Sequence, residues 1–179
     1  MIVLEGIDGA GKSTLAKALS QELNLPVKSF PNYENIPVIK RYFQGEPITH
    51  EGAFLLLLGD ILSEKGDFIA DRFYFSTIAY AKIDLFKAIA IIETVNPWSP
   101  DVVLYLDVDF DKALERTAQK RGEAVFDDYD KNVAFLKEVK RRFDFLYERQ
   151  YRAPWIKIDA NQPFERVVEQ SLEALKPYL

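Results

Sequence analysis

A glycine-rich stretch near the start of the chain constrains the fold more than any other feature of the sequence. Residues 6–13 read GIDGAGKS and follow the apolar run IVL at residues 2–4, and Leu15, Leu19 and Leu23 then recur at helical spacing. This order predicts a buried strand, a tight loop and a helix that packs on a sheet. We call residues 6–13 the glycine loop.

The glycine loop matches the pattern G-x-x-x-x-G-K-[ST], whose residue types suit a polyphosphate. Glycines allow backbone N–H groups to turn inward around the anion, and the helix that follows adds partial positive charge. Lys12 would reach the terminal phosphates, and the Ser13 hydroxyl would ligate Mg²⁺. The sequence therefore predicts a nucleoside-triphosphate site that comprises Gly6, Ile7, Asp8, Gly9, Ala10, Gly11, Lys12, Ser13 and Thr14.

The rest of the chain alternates short apolar runs with longer stretches of helical periodicity. Because parallel strands need crossover connections, this alternation predicts a three-layer α/β fold with a parallel sheet, in a single domain over residues 1–179. The five predicted strands lie at residues 2–4, 26–30, 67–70, 102–106 and 155–158. After the first helix, further helices are expected at residues 35–43, 49–65, 73–95, 111–120, 128–152 and 164–175.

Composition excludes several other classes of protein. The chain has no cysteine, which rules out thiolate metal sites and cysteine nucleophiles, and its single histidine, His50, carries no functional signal. The net charge of −5 argues against non-specific binding to nucleic acid or anionic membranes. The longest apolar run, residues 53–58, is far too short to span a membrane, and the N-terminus does not resemble a signal peptide. We therefore expect a cytoplasmic enzyme with neither nucleic acid nor membrane as a partner.

The motifs that accompany the glycine loop narrow the kind of nucleotide chemistry. A GTPase would need a guanine-reading N-K-x-D, which is absent, and the only D-x-x-G lies at residues 8–11, inside the glycine loop. A chain of 179 residues is also small for a motor ATPase. These observations favour phosphoryl transfer to a small acceptor.

Five segments, in order along nearly the whole chain, resemble the thymidylate kinases, nucleoside-monophosphate kinases that act on dTMP. The two specific ones are LEGIDGAGKST at residues 4–14 and DRFYFSTIAY at residues 71–80. The others are residues 100–108, the Arg121-Gly122 pair, and residues 158–160. The resemblance implies a P-loop kinase fold with a five-stranded parallel sheet flanked by helices, a short lid around residues 117–130, and transfer of the γ-phosphoryl group of ATP to dTMP with Mg²⁺.

Asp71 and Arg72 come where a predicted strand ends, at the sheet edge where such folds bind ligands. Arg72 can grip an acceptor phosphate with a bidentate fork, and Asp71 can orient water ligands of Mg²⁺. By resemblance, Thr77 would meet the pyrimidine, Tyr80 would exclude a ribose 2′-hydroxyl, and Asp8 would face the sugar or the metal. The predicted acceptor residues are Asp8, Phe30, Tyr33, Phe54, Leu57, Arg72, Ser76, Thr77 and Tyr80.

Phosphoryl transfer needs positive charge beyond Lys12 and Mg²⁺. In some family members an arginine follows the loop aspartate, but here Gly9 stands at that position. We therefore expect the cation to come from the lid, with Lys120 and Arg121 as candidates and Arg116 one turn earlier. In the basic helix that follows, Arg149 and Arg152 are expected to lie on a solvated face.

The sequence departs from the family pattern F-x-x-D-R before the third strand, since Leu57 and Ile61 replace the thymine-stacking aromatic and the arginine; Phe54 lies one turn earlier. After the lid, residues 126–129 read FDDY where relatives often have D-R-x-E. These departures suggest a relaxed base choice that includes dUMP. They leave two alternatives, a kinase of deoxynucleosides or other pyrimidine monophosphates, and a non-catalytic nucleotide-binding regulatory subunit. The apolar residues 54–58 and 88–92 would bury either the core or a homodimer face.

Overall fold

The computed structural model describes residues 1–45, 47–121 and 129–179, without the side chains of residues 120, 121 and 129–132. Within these residues the five predicted strands form one parallel sheet in the order β2-β3-β1-β4-β5. The strands are β1 (Ile2–Glu5), β2 (Val27–Ser29), β3 (Ile69–Asp71), β4 (Val102–Asp107) and β5 (Trp155–Asp159). The predicted α/β fold is confirmed.

Eight helices surround the sheet in the described part of the chain. They are α1 (Lys12–Leu23), α2 (Pro37–Phe43), α3 (His50–Leu62), α4 (Tyr74–Tyr80), α5 (Leu85–Val95), α6 (Phe110–Arg121), α7 (Tyr129–Glu148) and α8 (Phe164–Leu175), and a 3₁₀ turn follows at Lys176–Tyr178. Local sequence sets several of the starts. The Thr49 side chain accepts from Gly52 N at the start of α3, and Asp84 accepts from Phe86 N and Lys87 N at the start of α5. No helix of the described residues is long and apolar enough to cross a membrane.

The strand register brings the ends of β1 and β3 together at the carboxyl edge of the sheet. Leu4 lies beside Asp71 on one side and beside Leu104 on the other, and β1 and β3 are buried throughout. The glycine loop that leaves β1 and the Asp71-Arg72 turn that leaves β3 therefore emerge side by side. This is where ligands bind in parallel α/β sheets.

The long helix predicted over residues 73–95 is wrong, because the chain breaks between α4 and α5. Ala81 is extended, with φ −61° and ψ 134°. The Arg142 guanidinium, from α7, donates to the carbonyl oxygens of Ile78, Ala81 and Ile83 at 3.3, 2.9 and 3.1 Å. A tertiary contact thus satisfies the carbonyls that a continuing helix would have used, and periodicity within residues 73–95 cannot reveal it.

A second correction concerns the end of the basic helix. The α7 helix stops at Glu148, short of the predicted residue 152. Arg149 is exposed and lies against the Phe145 ring, as expected for a solvated face. The Arg152 side chain is only 14% exposed and donates to Asn96 Oδ1 at 2.8 Å. The prediction that Arg152 lies on a solvated face is therefore wrong. Arg152 instead ties the end of α7 to the end of α5.

Candidate active site

The glycine loop passes close to the backbone of β4 at Gly6 and to the backbone of α6 at Gly9. Gly6 has φ 141° and Gly9 has φ 82°, both in the region that favours glycine. A Cβ atom on Gly9 would lie 2.1 Å from the carbonyl oxygen of Ala113 in α6. No side chain fits at this position, so the transferred group cannot receive its extra positive charge from residue 9 in this chain.

Lys12 lies inside the glycine loop. Its ammonium donates to the carbonyl oxygens of Gly6 and Ile7, both at 2.8 Å. Burial, with a smaller contribution from the Arg72 charge, lowers the pKa of Lys12 to about 7. Ser13 and Thr14, by contrast, are exposed at the start of α1. The loop thus holds a cation at its centre and presents hydroxyl groups at its rim.

Arg72 turns out of β3 with a left-handed backbone, φ 73°, which is uncommon for a residue with a side chain. Its guanidinium bonds to the Asp8 carboxylate, donates to Ser76 Oγ at 3.4 Å, and lies over the Tyr80 ring at 5.1 Å from its centroid. Asp71 ends the strand and is 6% exposed. Asp8, Asp71 and Arg72, which the sequence assigned to one site, are therefore brought together.

A cavity of about 440 Å³ opens beside Arg72, within the usual size range of small-molecule sites. All nine predicted acceptor residues line it: Asp8, Phe30, Tyr33, Phe54, Leu57, Arg72, Ser76, Thr77 and Tyr80. The structure thus gathers the predicted acceptor residues around a single cavity.

The α4 helix supplies the polar wall of this cavity. Ser76 and Thr77 are 7% and 6% exposed, so little of either side chain is left to solvent. The hydroxyl oxygen of Tyr80 is buried and has no hydrogen-bond partner among the described residues. The Tyr80 ring packs edge-on against Phe143 of α7, at 6.3 Å between centroids. Packing therefore holds the Tyr80 ring in the wall of the cavity.

The α3 helix supplies the apolar wall. Phe54, Leu57 and Ile61 line the cavity, so both residues that depart from the family pattern contribute to its wall. His50, to which the sequence assigned no role, also lines the cavity, and its Nδ1 lies 2.9 Å from the Tyr42 hydroxyl. Nothing in the sequence around His50, the first residue of α3, indicated that it would line a cavity.

The loop after β2 closes one end of the cavity. Phe30 is 5% exposed and packs edge-on against Phe73, whereas Tyr33 is 39% exposed and faces the Lys40 ammonium. The loop is held by Asp60, a buried carboxylate on α3 that accepts from Asn32 N at 2.6 Å and from Asn35 Nδ2 at 3.2 Å. An aspartate within an otherwise apolar helix is the sequence signal that could have found this anchor.

The lid cation is described only in part. The Arg116 guanidinium donates to the carbonyl oxygen of Ala160 at 3.1 Å and approaches that of Gly9 at 3.5 Å, so it lies beside the glycine loop. The side chains of Lys120 and Arg121 lie outside the described residues, as does the FDDY segment up to residue 128. Their assignment stays a prediction.

Glu5, which sequence reasoning missed, is a fully buried carboxylate at the end of β1. Its Oε1 accepts from the N–H groups of Phe73 and Ser76, at 2.9 and 3.0 Å, and its Oε2 accepts from the Ser76 hydroxyl. Burial raises the pKa of Glu5 from 4.5 to about 7, against the lowering effect of Ser76 and of the Arg72 and Lys12 charges. Two features of the sequence marked this position: a charged residue at the end of an otherwise apolar strand, and its place in the segment LEGIDGAGKST.

A parallel sheet that ends in a glycine loop with a buried lysine, beside a cavity with an arginine at its mouth, defines the class of P-loop kinases. The family model described as Thymidylate kinase matches residues 55–171. The chain belongs to the thymidylate kinase family, a family of ATP-dependent kinases.

Curated relatives agree with this assignment. The chain is 29% identical to "Thymidylate kinase" of Leptospira interrogans, over 96% of this chain and 91% of the relative. It is 30% identical to "Probable thymidylate kinase" of Methanococcus aeolicus, over 84% of this chain and 81% of the relative. Among solved structures, a deoxyadenosine kinase from M. mycoides with dCMP and dCDP bound superposes with a TM-score of 0.74 over 99% of both chains. At 22% identity this likeness shows the shared fold.

Proposed function

We propose that the chain catalyses transfer of the γ-phosphoryl group of ATP to dTMP, giving ADP and dTDP. The observation that carries the proposal is the position of Arg72, between the glycine loop and the 440 Å³ cavity. A guanidinium at that point can hold the phosphate of a nucleoside monophosphate beside the γ-phosphate of a nucleotide bound in the loop. The family and the curated relatives named thymidylate kinase support dTMP as that monophosphate.

The proposed reaction divides between the two halves of the site. Backbone N–H groups of the glycine loop would bind the ATP phosphates, and the Lys12 ammonium would leave the Gly6 and Ile7 carbonyls for the bridging oxygens. An oxygen of the acceptor phosphate then attacks the γ-phosphorus, and the bond from that phosphorus to the β-bridging oxygen breaks. ADP leaves with the electron pair of the broken bond. Lys12, with Arg116, Lys120 or Arg121, would stabilise the charge that develops on the transferred group.

The residues present suit Mg²⁺, which supplies charge neutralisation between the β- and γ-phosphates when bound. Hydroxyl and carboxylate oxygens are ligands that Mg²⁺ prefers. Ser13 presents an exposed hydroxyl at the rim of the glycine loop, and the Asp71 charge acts on the Lys12 ammonium in the same loop. Ser13 would therefore hold the ion directly, and Asp71 through water.

The wider organisation is part of the same proposal. Residues 1–179 would act as one kinase domain with a lid around 117–130, in the cytoplasm.

A homodimer would bury Leu55 and Phe86, which are 52% and 66% exposed on α3 and α5, two helices that the Glu51–Lys87 ion pair connects. Most of residues 54–58 and 88–92 proves to be half-buried or core. Sedimentation velocity of the wild type and of Leu55→Glu tests the dimer, since a monomeric wild type would contradict it.

An acceptor panel tests the reaction. ADP release is measured with ATP and Mg²⁺ against dTMP, dUMP, UMP, dCMP, thymidine and deoxyadenosine. We expect dTMP to give the highest kcat/KM and the nucleosides to be poor, because they bring no phosphate to Arg72. Preference for a nucleoside would favour the deoxynucleoside kinase alternative. Nucleotide binding without ADP release from any acceptor would favour the non-catalytic subunit.

A further inference from the structure

We propose that Glu5 is a positioning residue of the acceptor site: its carboxylate fixes the turn between β3 and α4 and thereby aims the Arg72 guanidinium into the cavity. This inference rests on the proposed function, since it assigns Arg72 to the acceptor phosphate. Glu5 itself is 0% exposed and lines neither the cavity nor the rim of the glycine loop. It can act on the reaction only through its neighbours.

Two consecutive backbone N–H groups of the turn are held by the end of β1. Arg72 N donates to the carbonyl oxygen of Leu4 at 3.1 Å, and Phe73 N donates to Glu5 Oε1 at 2.9 Å. The residue between these bonds, Arg72, has the left-handed φ of 73°. A conformation of this kind persists in a non-glycine residue only where the surroundings enforce it. Leu4 and Glu5 are the groups that enforce it here.

The same carboxylate also orders the first turn of α4. It accepts from Ser76 N at 3.0 Å and from the Ser76 hydroxyl, and Ser76 Oγ in turn accepts from Arg72 at 3.4 Å. A chain of hydrogen bonds therefore runs from Glu5 through Ser76 to the guanidinium. Arg142 binds the carbonyls at the other end of α4, so both ends of the helix that carries Thr77 and Tyr80 are held by remote charged side chains.

Burying this carboxylate costs free energy that an apolar residue would not. An ionised carboxylate without direct solvent contact is expensive, and an apolar residue of similar volume is often as stable or more stable. What Glu5 adds over an apolar residue is two acceptor oxygens aimed at the turn and a negative charge beside the Arg72 and Lys12 cations. Those contributions serve the direction of Arg72.

Two variants separate the acceptor oxygens from the charge. Glu5→Gln keeps one oxygen for the Phe73 and Ser76 N–H groups and removes the charge, whereas Glu5→Met removes both. Asp144→Asn is the matched control, since it makes the same carboxylate-to-amide change at a side chain that binds the Tyr105 hydroxyl, outside the acceptor cavity. Steady-state KM and kcat are measured for ATP and for the acceptor, with Tm for each variant.

We expect Glu5→Gln to raise the acceptor KM about tenfold, the size of one charge-assisted contact, while the ATP KM changes by less than about twofold. Glu5→Met should raise the acceptor KM further and lower kcat, and Asp144→Asn should leave both KM values near wild type. Equal rises for ATP and acceptor, or an unchanged acceptor KM in folded Glu5→Gln, would overturn the proposal.

A structural measurement keeps this inference separate from the proposed function. Wild type that phosphorylates no acceptor in the panel would contradict the proposed function alone. The crystal structure of Glu5→Met then decides the role of Glu5 without any substrate. We expect the Arg72 backbone to leave the left-handed region and its guanidinium to lose Ser76. An Arg72 that keeps its φ and its contacts in that variant would show that Glu5 does not position it.

Discussion

The Arg72 guanidinium is bonded to the Asp8 carboxylate across the mouth of the acceptor cavity. The residue proposed to clamp the acceptor phosphate is therefore paired with a residue proposed to face the acceptor sugar. An incoming phosphate would replace the Asp8 carboxylate as the anionic partner of the Arg72 guanidinium. This arrangement makes the consequences of changing Arg72 specific to the acceptor.

Arg72→Ala is expected to raise the acceptor KM or to lower kcat, with ATP binding little changed. Removing a charge-assisted bidentate contact costs about 2–5 kcal/mol. Arg72→Lys should recover only part of the loss, because an ammonium cannot make the planar fork. KM for both substrates is measured beside Arg149→Ala, an exposed arginine outside the cavity. If Arg72→Ala weakens ATP and acceptor binding equally, its role is structural.

Lys12→Ala is expected to lower kcat by at least about a hundredfold, the scale of losing one electrostatic stabiliser of a transition state. The fold should survive, since among the described residues the hydrogen bonds of Lys12 go to carbonyls of its own loop, and burial already lowers its pKa to about 7. Single-turnover rates at saturating ATP, with circular dichroism and Tm as the check on folding, measure this. Near-normal turnover by folded Lys12→Ala would refute the kinase mechanism.

The pH dependence of acceptor binding should carry the signature of Glu5. Burial raises its pKa from 4.5 to about 7, against the opposing charges of Arg72 and Lys12. As the pH falls through about 7, Glu5 takes up a proton and loses its negative charge beside Arg72, as the Glu5→Gln variant does, so the acceptor KM should rise. Glu5→Gln should flatten that part of the profile, and the comparison removes the titration of the acceptor phosphate itself, which both proteins share.

The stability of the fold should depend on pH in the opposite sense to acceptor binding. A carboxyl with a raised pKa in the folded state stabilises the fold fully below the unfolded value of 4.5, and that contribution is lost as the pH rises through about 7. Glu5→Gln should therefore have a higher Tm relative to wild type at about pH 8 than at about pH 5. A variant that loses both Tm and acceptor affinity by the same amount at every pH would contradict a titrating Glu5.

Much of the fold and of the acceptor site could be predicted because the relevant signals are local. The glycine loop, its strand and its helix lie within the first 23 residues, and Asp71-Arg72 follows directly on a buried strand. Parallel strands end at the same edge, which places both turns there, and the pairing of β1 with β3 in the structure brings the two turns together. The helical spacing of Thr77 and Tyr80 then placed both on the cavity.

What the sequence could not show depends on contacts distant along the chain. Arg142 ends α4 from 61 positions away, and Arg152 reaches Asn96 across 56. Glu5 acts on Ser76 from 71 positions away, and Asp60 anchors the loop at Asn32. In each case a charged side chain satisfies polar groups of another segment of the chain. Periodicity reports the face of an element but carries no information about its remote hydrogen-bond partners.

Base selectivity is where this chain should differ most from its family. Leu57 and Ile61 line the cavity at positions where the family pattern has an aromatic residue and an arginine. Without that arginine a base carbonyl loses a charged donor, worth about 1.5–3 kcal/mol. Leu57 offers dispersion but no aromatic face. The remaining thymine-specific contact is the methyl group, worth about 1 kcal/mol in an apolar pocket.

We therefore expect dUMP to compete with dTMP, with dTMP preferred by about fivefold in kcat/KM, the equivalent of one methyl group. UMP should remain poor, because Tyr80, which lines the cavity, is expected from the family resemblance to exclude a ribose 2′-hydroxyl. Leu57→Phe with Ile61→Arg should sharpen the preference for thymine. Since Ile61 is only 2% exposed and a buried arginine can unfold the chain, Leu57→Phe alone at a half-buried position is the second test. Wild-type discrimination between dTMP and dUMP above about 1,000-fold exceeds what one methyl group supplies and would show that another group in the cavity reads the base.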